Sequence, residues 1–157
     1  MQSDHSRVIQ VTLLLAWMFI IIPVTGCQMI SQATNVQNDS RWDLAEAQVD
    51  TLMNSFIEYR KDAFSEQVDP SFCPVRSIFV NAADQAFAQN VIHDLDYSVD
   101  SVLTENNKLF VSITWHKKQT PRNEKKQEII KGKSGLVFVQ RDGVYRLLKV
   151  KGENPFV

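Results

Sequence analysis

Two cysteines, Cys27 and Cys73, among 157 residues allow at most one disulfide, so a fold stapled by several bridges is excluded. The three histidines and two cysteines never fall at zinc-ligand spacing, and neither a metal nor another cofactor is expected. Five glycines are too few for a glycine-rich phosphate loop: Gly132-Lys133-Ser134 has Gln127 where such a loop needs its first glycine. No Gly-x-Ser-x-Gly elbow occurs, and no catalytic triad is expected. Net charge is only -1, and the basic stretch lacks interleaved aromatics, which argues against nucleic acid as a partner. What remains is a composition of 44% apolar and 22% charged residues, that of one ordinary globular core.

The amino-terminal segment is different. Arg7 precedes an uncharged run from Val8 to Val24, in which Gln10 and Pro23 bracket about a dozen apolar residues. That is the length of a signal-peptide middle and short of the roughly 20 residues that cross a bilayer. The run ends in Val24-Thr25-Gly26-Cys27, which resembles the lipobox of bacterial lipoproteins. The resemblance implies cleavage after Gly26, diacylglyceryl on the Cys27 sulfur, and a palmitate-type chain on the new amino terminus. Residues 1–26 are then a signal peptide and Cys27 a membrane anchor, because two or three chains at about 0.8 kcal/mol per buried CH₂ hold far better than one. The competing reading is an uncleaved anchor with an incidental Cys27. The stretch 27–40, rich in Gln, Asn and Ser, reads as a flexible tether. In lipoproteins of the enterobacterial type, Asp directly after the cysteine favours the inner membrane; Gln28 therefore favours the outer membrane, with the domain facing the periplasm.

From Trp42, apolar residues Val49, Leu52, Met53, Phe56, Ile57 and Phe64 recur at helical steps, which predicts one amphipathic helix over 42–64. A short strand is expected at Ser77–Val80. A second helix, capped by Asn81, should bury Ala86, Phe87, Val91, Ile92 and Leu95 and end near Asp96. The period then falls to two. Tyr97 to Leu103, Leu109 to His116, Ile130 to Phe138 and Val144 to Val150 read as antiparallel strands, joined by turns at Glu105-Asn106-Asn107 and Arg141-Asp142-Gly143. The predicted class is α+β, with amino-terminal helices packed on a curved antiparallel sheet.

This order, and the closing hairpin Leu136 to Val150 with Tyr145 two positions after the turn glycine, resembles the nuclear transport factor 2-like superfamily, which includes ketosteroid isomerases and SnoaL-type cyclases. The resemblance implies that 41–157 form a cone-shaped, cystatin-like domain. Its enzymes place carboxylates and a tyrosine in the cone, but no catalytic residue carries over onto this chain: Leu109, Val111, Ile113 and Trp115 give an apolar wall, with His116 facing outward. Tyr59, Phe87 and Trp115 are the candidate ligand wall, although periodicity alone accounts for them as core. His93, Asp94, Asp96 and Tyr97 read as a helix end. Cys73, within Ser71-Phe72-Cys73-Pro74-Val75, reads as a small buried residue.

Charge is unevenly placed, with 13 acidic and 4 basic residues over 39–105 but 12 basic and 4 acidic over 106–157. The basic hairpin Lys117 to Lys133 is a candidate contact for an anionic envelope partner, against the plainer reading of a solvated tip. Leu136 to Val139, apolar on both faces, suggests a homodimer formed through the sheet. The expected function is a ligand- or protein-binding envelope lipoprotein, the alternative being a small-molecule enzyme of the cyclase or isomerase type.

Overall fold

The computed structural model describes residues 22–157, with side chains from residue 40 onward. Residues 1–21, which hold the leader's basic start and most of its apolar run, lie outside the described residues, as does the Cys27 side chain that follows the expected cleavage position Gly26. The chain divides into two units, Met1–Ser40 and Arg41–Val157. No helix among the described residues is long and apolar enough to cross a membrane.

Helix α1 spans Ile22–Ile57. Residues 27–40, read as a flexible tether, have helical backbone; no proline or glycine interrupts them, and polarity by itself does not break a helix. Within the second unit the stripe is the predicted one: Ala45, Val49, Leu52, Met53 and Phe56 are all buried. The helix does not reach Phe64. Tyr59 takes a left-handed backbone (φ 53), and the Arg60 N–H turns back onto the Ser55 carbonyl at 3.1 Å. Helix α2 (Lys61–Glu66) then folds Phe64 against Phe56, ring centroids 5.6 Å apart. A periodicity that skips a turn looks like one helix in sequence.

Strand β1 (Val68–Cys73) comes next and contains Pro70. It tolerates proline because it lies at a sheet edge, where a missing N–H costs no ladder bond. Helix α3 (Arg76–Gln89) starts five residues before Asn81 and absorbs the expected strand Ser77–Val80. Its start is held by Arg76, whose Nη2 donates to the Ser65 carbonyl at 2.6 Å and whose Nε donates to the Val68 carbonyl at 3.1 Å. It ends before the β-branched pair Val91-Ile92, which belongs to strand β2 (Asn90–Glu105).

Strands β3 (Lys108–Pro121), β4 (Glu128–Arg141) and β5 (Val144–Gly152) complete a sheet ordered β1-β5-β4-β3-β2. The hairpins are antiparallel as predicted, but β1 pairs with β5 in parallel, so the sheet is mixed. Helix α3 carries the chain across to the far edge, and three reversals bring β5 back beside β1. At the β4–β5 turn Asp142 and Gly143 both have positive φ (52 and 79), the geometry that matches strand twist in a two-residue hairpin. The concave face of β3 buries Leu109, Val111, Ile113 and Trp115, while His116 on the other face is exposed. Phe56, Phe64, Phe79 and Phe156 fill the space between helices and sheet, with ring centroids 5.1 to 5.9 Å apart.

Candidate functional site

A cleft of about 440 Å³ opens where α1 ends, α3 ends and β2 begins, lined chiefly by Ile57, Tyr59, Phe87, Ile92 and Arg122. That volume lies in the range of small-molecule sites. The break after α1 builds one wall. Tyr59 is 56% exposed, and its ring stands 4.5 Å from that of Phe87, itself 4.5 Å from Phe56. A bulky residue in the left-handed region costs about 1–2 kcal/mol, so the presented ring is maintained against a local preference. Arg122 closes the opposite side: its N–H donates to the Gln89 carbonyl at 2.8 Å and its Nε to the Phe87 carbonyl at 3.3 Å. The cleft is thus an apolar and aromatic slot with one cation at its rim.

Of the three residues singled out as a ligand wall, the fold brings Tyr59 and Phe87 together and leaves Trp115 apart. Trp115 is 2% exposed, packs over Gly132 and donates from Nε1 to Ser134 Oγ at 2.8 Å. It is core.

Two polar residues on the same concave face were missed as site candidates. Lys117 is 1% exposed and Gln119 5%, continuing the inward parity of Leu109 to Trp115. Lys117 therefore does not belong to the exposed basic hairpin, whose tip lies beyond Pro121; Lys118, Lys125, Lys126, Lys131 and Lys133 remain on the surface. Burial pushes the Lys117 ammonium below its usual value, opposed by Glu128. Their parity with Trp115 is legible in the alternation, but lysine and glutamine are seldom fully buried, so their polarity masks it.

His93, Asp94, Asp96 and Tyr97 lie on a strand, not at a helix end. His93 Nε2 meets Thr120 Oγ1 at 2.9 Å, and the Tyr97 hydroxyl donates to Asp50 Oδ1 at 2.6 Å. Burial, then the Asp50 carboxylate, push the Tyr97 phenol well above its usual range. Asp50 is exposed on α1, while Tyr97 is half-buried opposite Trp115 on the concave face, so this acid–tyrosine pair joins the helix to strand β2 at the rim of the sheet. Among the described residues Asp69 is the buried carboxylate, and no group of three His, Cys, Asp or Glu could hold a metal ion. Cys73 is exposed rather than buried: Phe72 takes the inward position of β1, and Cys73 alternates outward beside Pro74. Val137 and Val139, the outward residues that suggest pairing of two sheets, are already covered within the chain at 6% and 4% exposed.

No family model matches the chain, and no curated protein matches it. Solved structures do. It is similar to a nuclear transport factor 2-like superfamily protein from Salmonella enterica serovar Typhimurium, at 12% identity over 76% of this chain and 93% of that one, TM-score 0.60. A conserved protein from Planctomyces limnophilus is similar at 13% identity over 71% and 99%, TM-score 0.59. So is a ketosteroid isomerase-like protein from Erwinia carotovora atroseptica, at 12% identity over 67% and 88%, TM-score 0.59. The domain has the nuclear transport factor 2-like α+β cone fold.

Proposed function

We propose that the chain is a lipid-anchored binding module of the bacterial envelope, tethered through Cys27 and facing the periplasm, which takes an amphipathic small molecule at the cone mouth. The observation that carries the ligand reading is the pairing of an exposed, backbone-strained Tyr59 with Phe87 in a cleft rimmed by Arg122. Aromatic walls take an apolar body, and a guanidinium at the rim takes an anionic group.

A cyclase or isomerase would need a carboxylate inside the cone facing a tyrosine or histidine. Asp50, which meets Tyr97 at the rim, is exposed to solvent, and the buried Asp69 is engaged by Arg141 and Ser71. Binding is therefore preferred over catalysis.

Two measurements test the two halves separately. Acyl labelling in a bacterial host should mark the wild type and leave Cys27→Ser unlabelled; equal processing and labelling of both would end the anchor reading. An anilinonaphthalene sulfonate probe should bind the cleft, with Tyr59→Ala and Phe87→Ala each weakening it about tenfold, some 1.4 kcal/mol. Unchanged affinity in both variants would end the cleft reading.

A further inference from the structure

The uneven charge of the sequence is gathered on the convex face of the sheet. Strand pairing places exposed His116 opposite Lys131, Thr114 opposite Lys133, Gly135 opposite Lys151 and Val137 opposite Lys149, so the four lysines share the face turned away from the helices. Lys118 belongs to it too, opposite Ile129. Over β3, β4 and β5 this face holds no carboxylate, because the one acid in the three strands, Glu128, lies opposite the inward-facing Gln119. Lys118, Lys131, Lys133 and Lys151 are exposed and Lys149 is half-buried, and among the described residues none of the five forms an ion pair.

Residues two apart on one strand stand about 7 Å from each other and neighbouring strands about 5 Å, so these cations lie within a Debye length of about 8 Å and repel. Such a group is complementary to a broad anionic surface. Lysine, a compact cation on a flexible stem, suits phosphates that are spread and mobile, whereas the fork of arginine suits one fixed carboxylate or phosphate. Ile129, 63% exposed, stands on the same face between Lys118 and Lys131. An apolar side chain flanked by lysines fits a bilayer interface, where the one enters the acyl boundary and the others stay with the headgroups. On β2 the sign changes: exposed Asp96 lies opposite His116 and exposed Asp94 opposite Lys118. The Glu153 carboxylate, just beyond β5, is taken up by the Lys133 N–H at 2.7 Å. The cationic area is thus bounded by acids along β2 and centred on β4 and β5.

We propose that the convex face of β4 and β5 is a membrane-contact surface, which lies on an anionic phospholipid bilayer through Lys131, Lys133, Lys149 and Lys151, with Ile129 entering the interface and the acidic β2 edge tilted away. This deepens the anchor reading, on which it rests: attachment through Cys27 raises the effective concentration of the bilayer, so a contact that is weak by itself sets the orientation of the domain. Each lysine held near an anionic surface multiplies the affinity about fivefold. In that orientation the helix layer, and with it the cleft between Tyr59 and Phe87, faces away from the lipid.

The chain purified from the host used for acyl labelling, mixed with vesicles of phosphatidylcholine or of phosphatidylglycerol, tests this by reductive methylation of its lysines read by peptide mass. On phosphatidylglycerol, Lys131, Lys133, Lys149 and Lys151 should be protected at least about fivefold relative to phosphatidylcholine, and the protection should vanish at about 1 M salt, where the Debye length is about 3 Å. Lys61, in the helix layer and ion-paired to Asp84, should react alike on both. Lys131→Gln and Lys149→Gln should each lower the protection of the remaining lysines about fivefold, and Ile129→Ser should lower it without altering its salt dependence, all with native circular dichroism. Equal reactivity of the four lysines on the two lipids would overturn the proposal, as would protection that grows with protein concentration in the absence of vesicles, the mark of a second copy on this face. Protection without acyl label at Cys27 would end the anchor and keep the face; label at Cys27 without protection would end the face and keep the anchor.

Discussion

Arg141 Nε lies 2.9 Å from Asp69 Oδ2, joining the end of β4 to edge strand β1 across 72 residues of sequence. The Asp69 carboxylate is fully buried and also accepts the Ser71 N–H at 2.8 Å, while half of the Arg141 side chain is exposed. Removing the arginine strands a buried charge. Arg141→Met is therefore expected to cost about 2 kcal/mol, the upper estimate for a buried pair reduced for solvent at the guanidinium. Asp69→Asn, which removes the charge but keeps an acceptor, should cost about half that. Urea denaturation of both variants measures the difference.

The same pair sets an acid limb. Burial alone would raise the Asp69 carboxyl, but the Ser71 N–H and Arg141 outweigh it and hold the group below its ordinary 3.8. A depressed carboxyl stabilises the fold above the unfolded value and loses that contribution as pH falls through the folded one. Below pH 3.8, the stability of Asp69→Asn should fall less steeply than that of the wild type. Parallel acid limbs would contradict the assignment.

At Lys117 the fold disfavours the charged form, where at Asp69 it favours it. The Lys117 ammonium is pushed below 10.5 by burial, so between the folded value and 10.5 the unfolded chain binds more protons, and stability rises with pH there. Lys117→Met should raise stability by about 1 kcal/mol or more near neutrality, because it removes a desolvated charge and fills the volume. Its alkaline stability curve should also be flatter. A lower Tm in the variant would mean that the hydrogen bond Lys117 Nζ donates to the Val157 oxygen, 2.6 Å long, outweighs the desolvation.

Two glycines of β4 separate steric need from tolerance. A Cβ on Gly132 would stand 2.5 Å from Trp115 Cζ2 and 2.6 Å from Glu153 Oε2, and the buried indole has nowhere to go. On Gly135 the nearest atom is Lys151 Cβ at 3.6 Å, ordinary contact. Gly132→Ala should cost about 1–3 kcal/mol and Gly135→Ala less than about 0.5 kcal/mol. Thermal melts of the pair settle it.

Cys73 is exposed, so iodoacetamide should modify it in the native protein without denaturant, as read by peptide mass. Protection equal to that of a buried thiol would contradict its outward position on β1. Cys73→Ser should leave stability within about 0.5 kcal/mol.

Where the period was uninterrupted, sequence and structure agree. The alternation of Leu109, Val111, Ile113 and Trp115, the stripe from Val49 to Phe56 and the Asp142-Gly143 turn all stand as predicted. The failures lie at changes of period. Ala86, Phe87, Val91, Ile92 and Leu95 fit helical steps, yet the chain changes to strand at Asn90, and a register shift between Ile92 and Asp94 disguises the new period of two. The single helix to Phe64 failed because tertiary packing of Phe64 on Phe56, not local propensity, placed Tyr59 in its left-handed turn. Of the site, Tyr59 and Phe87 were legible as aromatics, but their meeting depends on that turn. Gln119 and Lys117 lay in plain parity with Trp115, hidden only by their polarity.

The parallel pairing of β1 with β5 has a consequence for how the chain comes into being. Val68 finds Leu147, and Cys73 finds Lys149, only after three hairpins have been laid down between them. During synthesis, everything up to residue 141 can gather as helices and hairpins while β1 waits without a neighbour. Until β5 arrives, β4 presents an open hydrogen-bonding edge. A nascent chain of this protein thus carries an unpaired strand edge until β5 emerges.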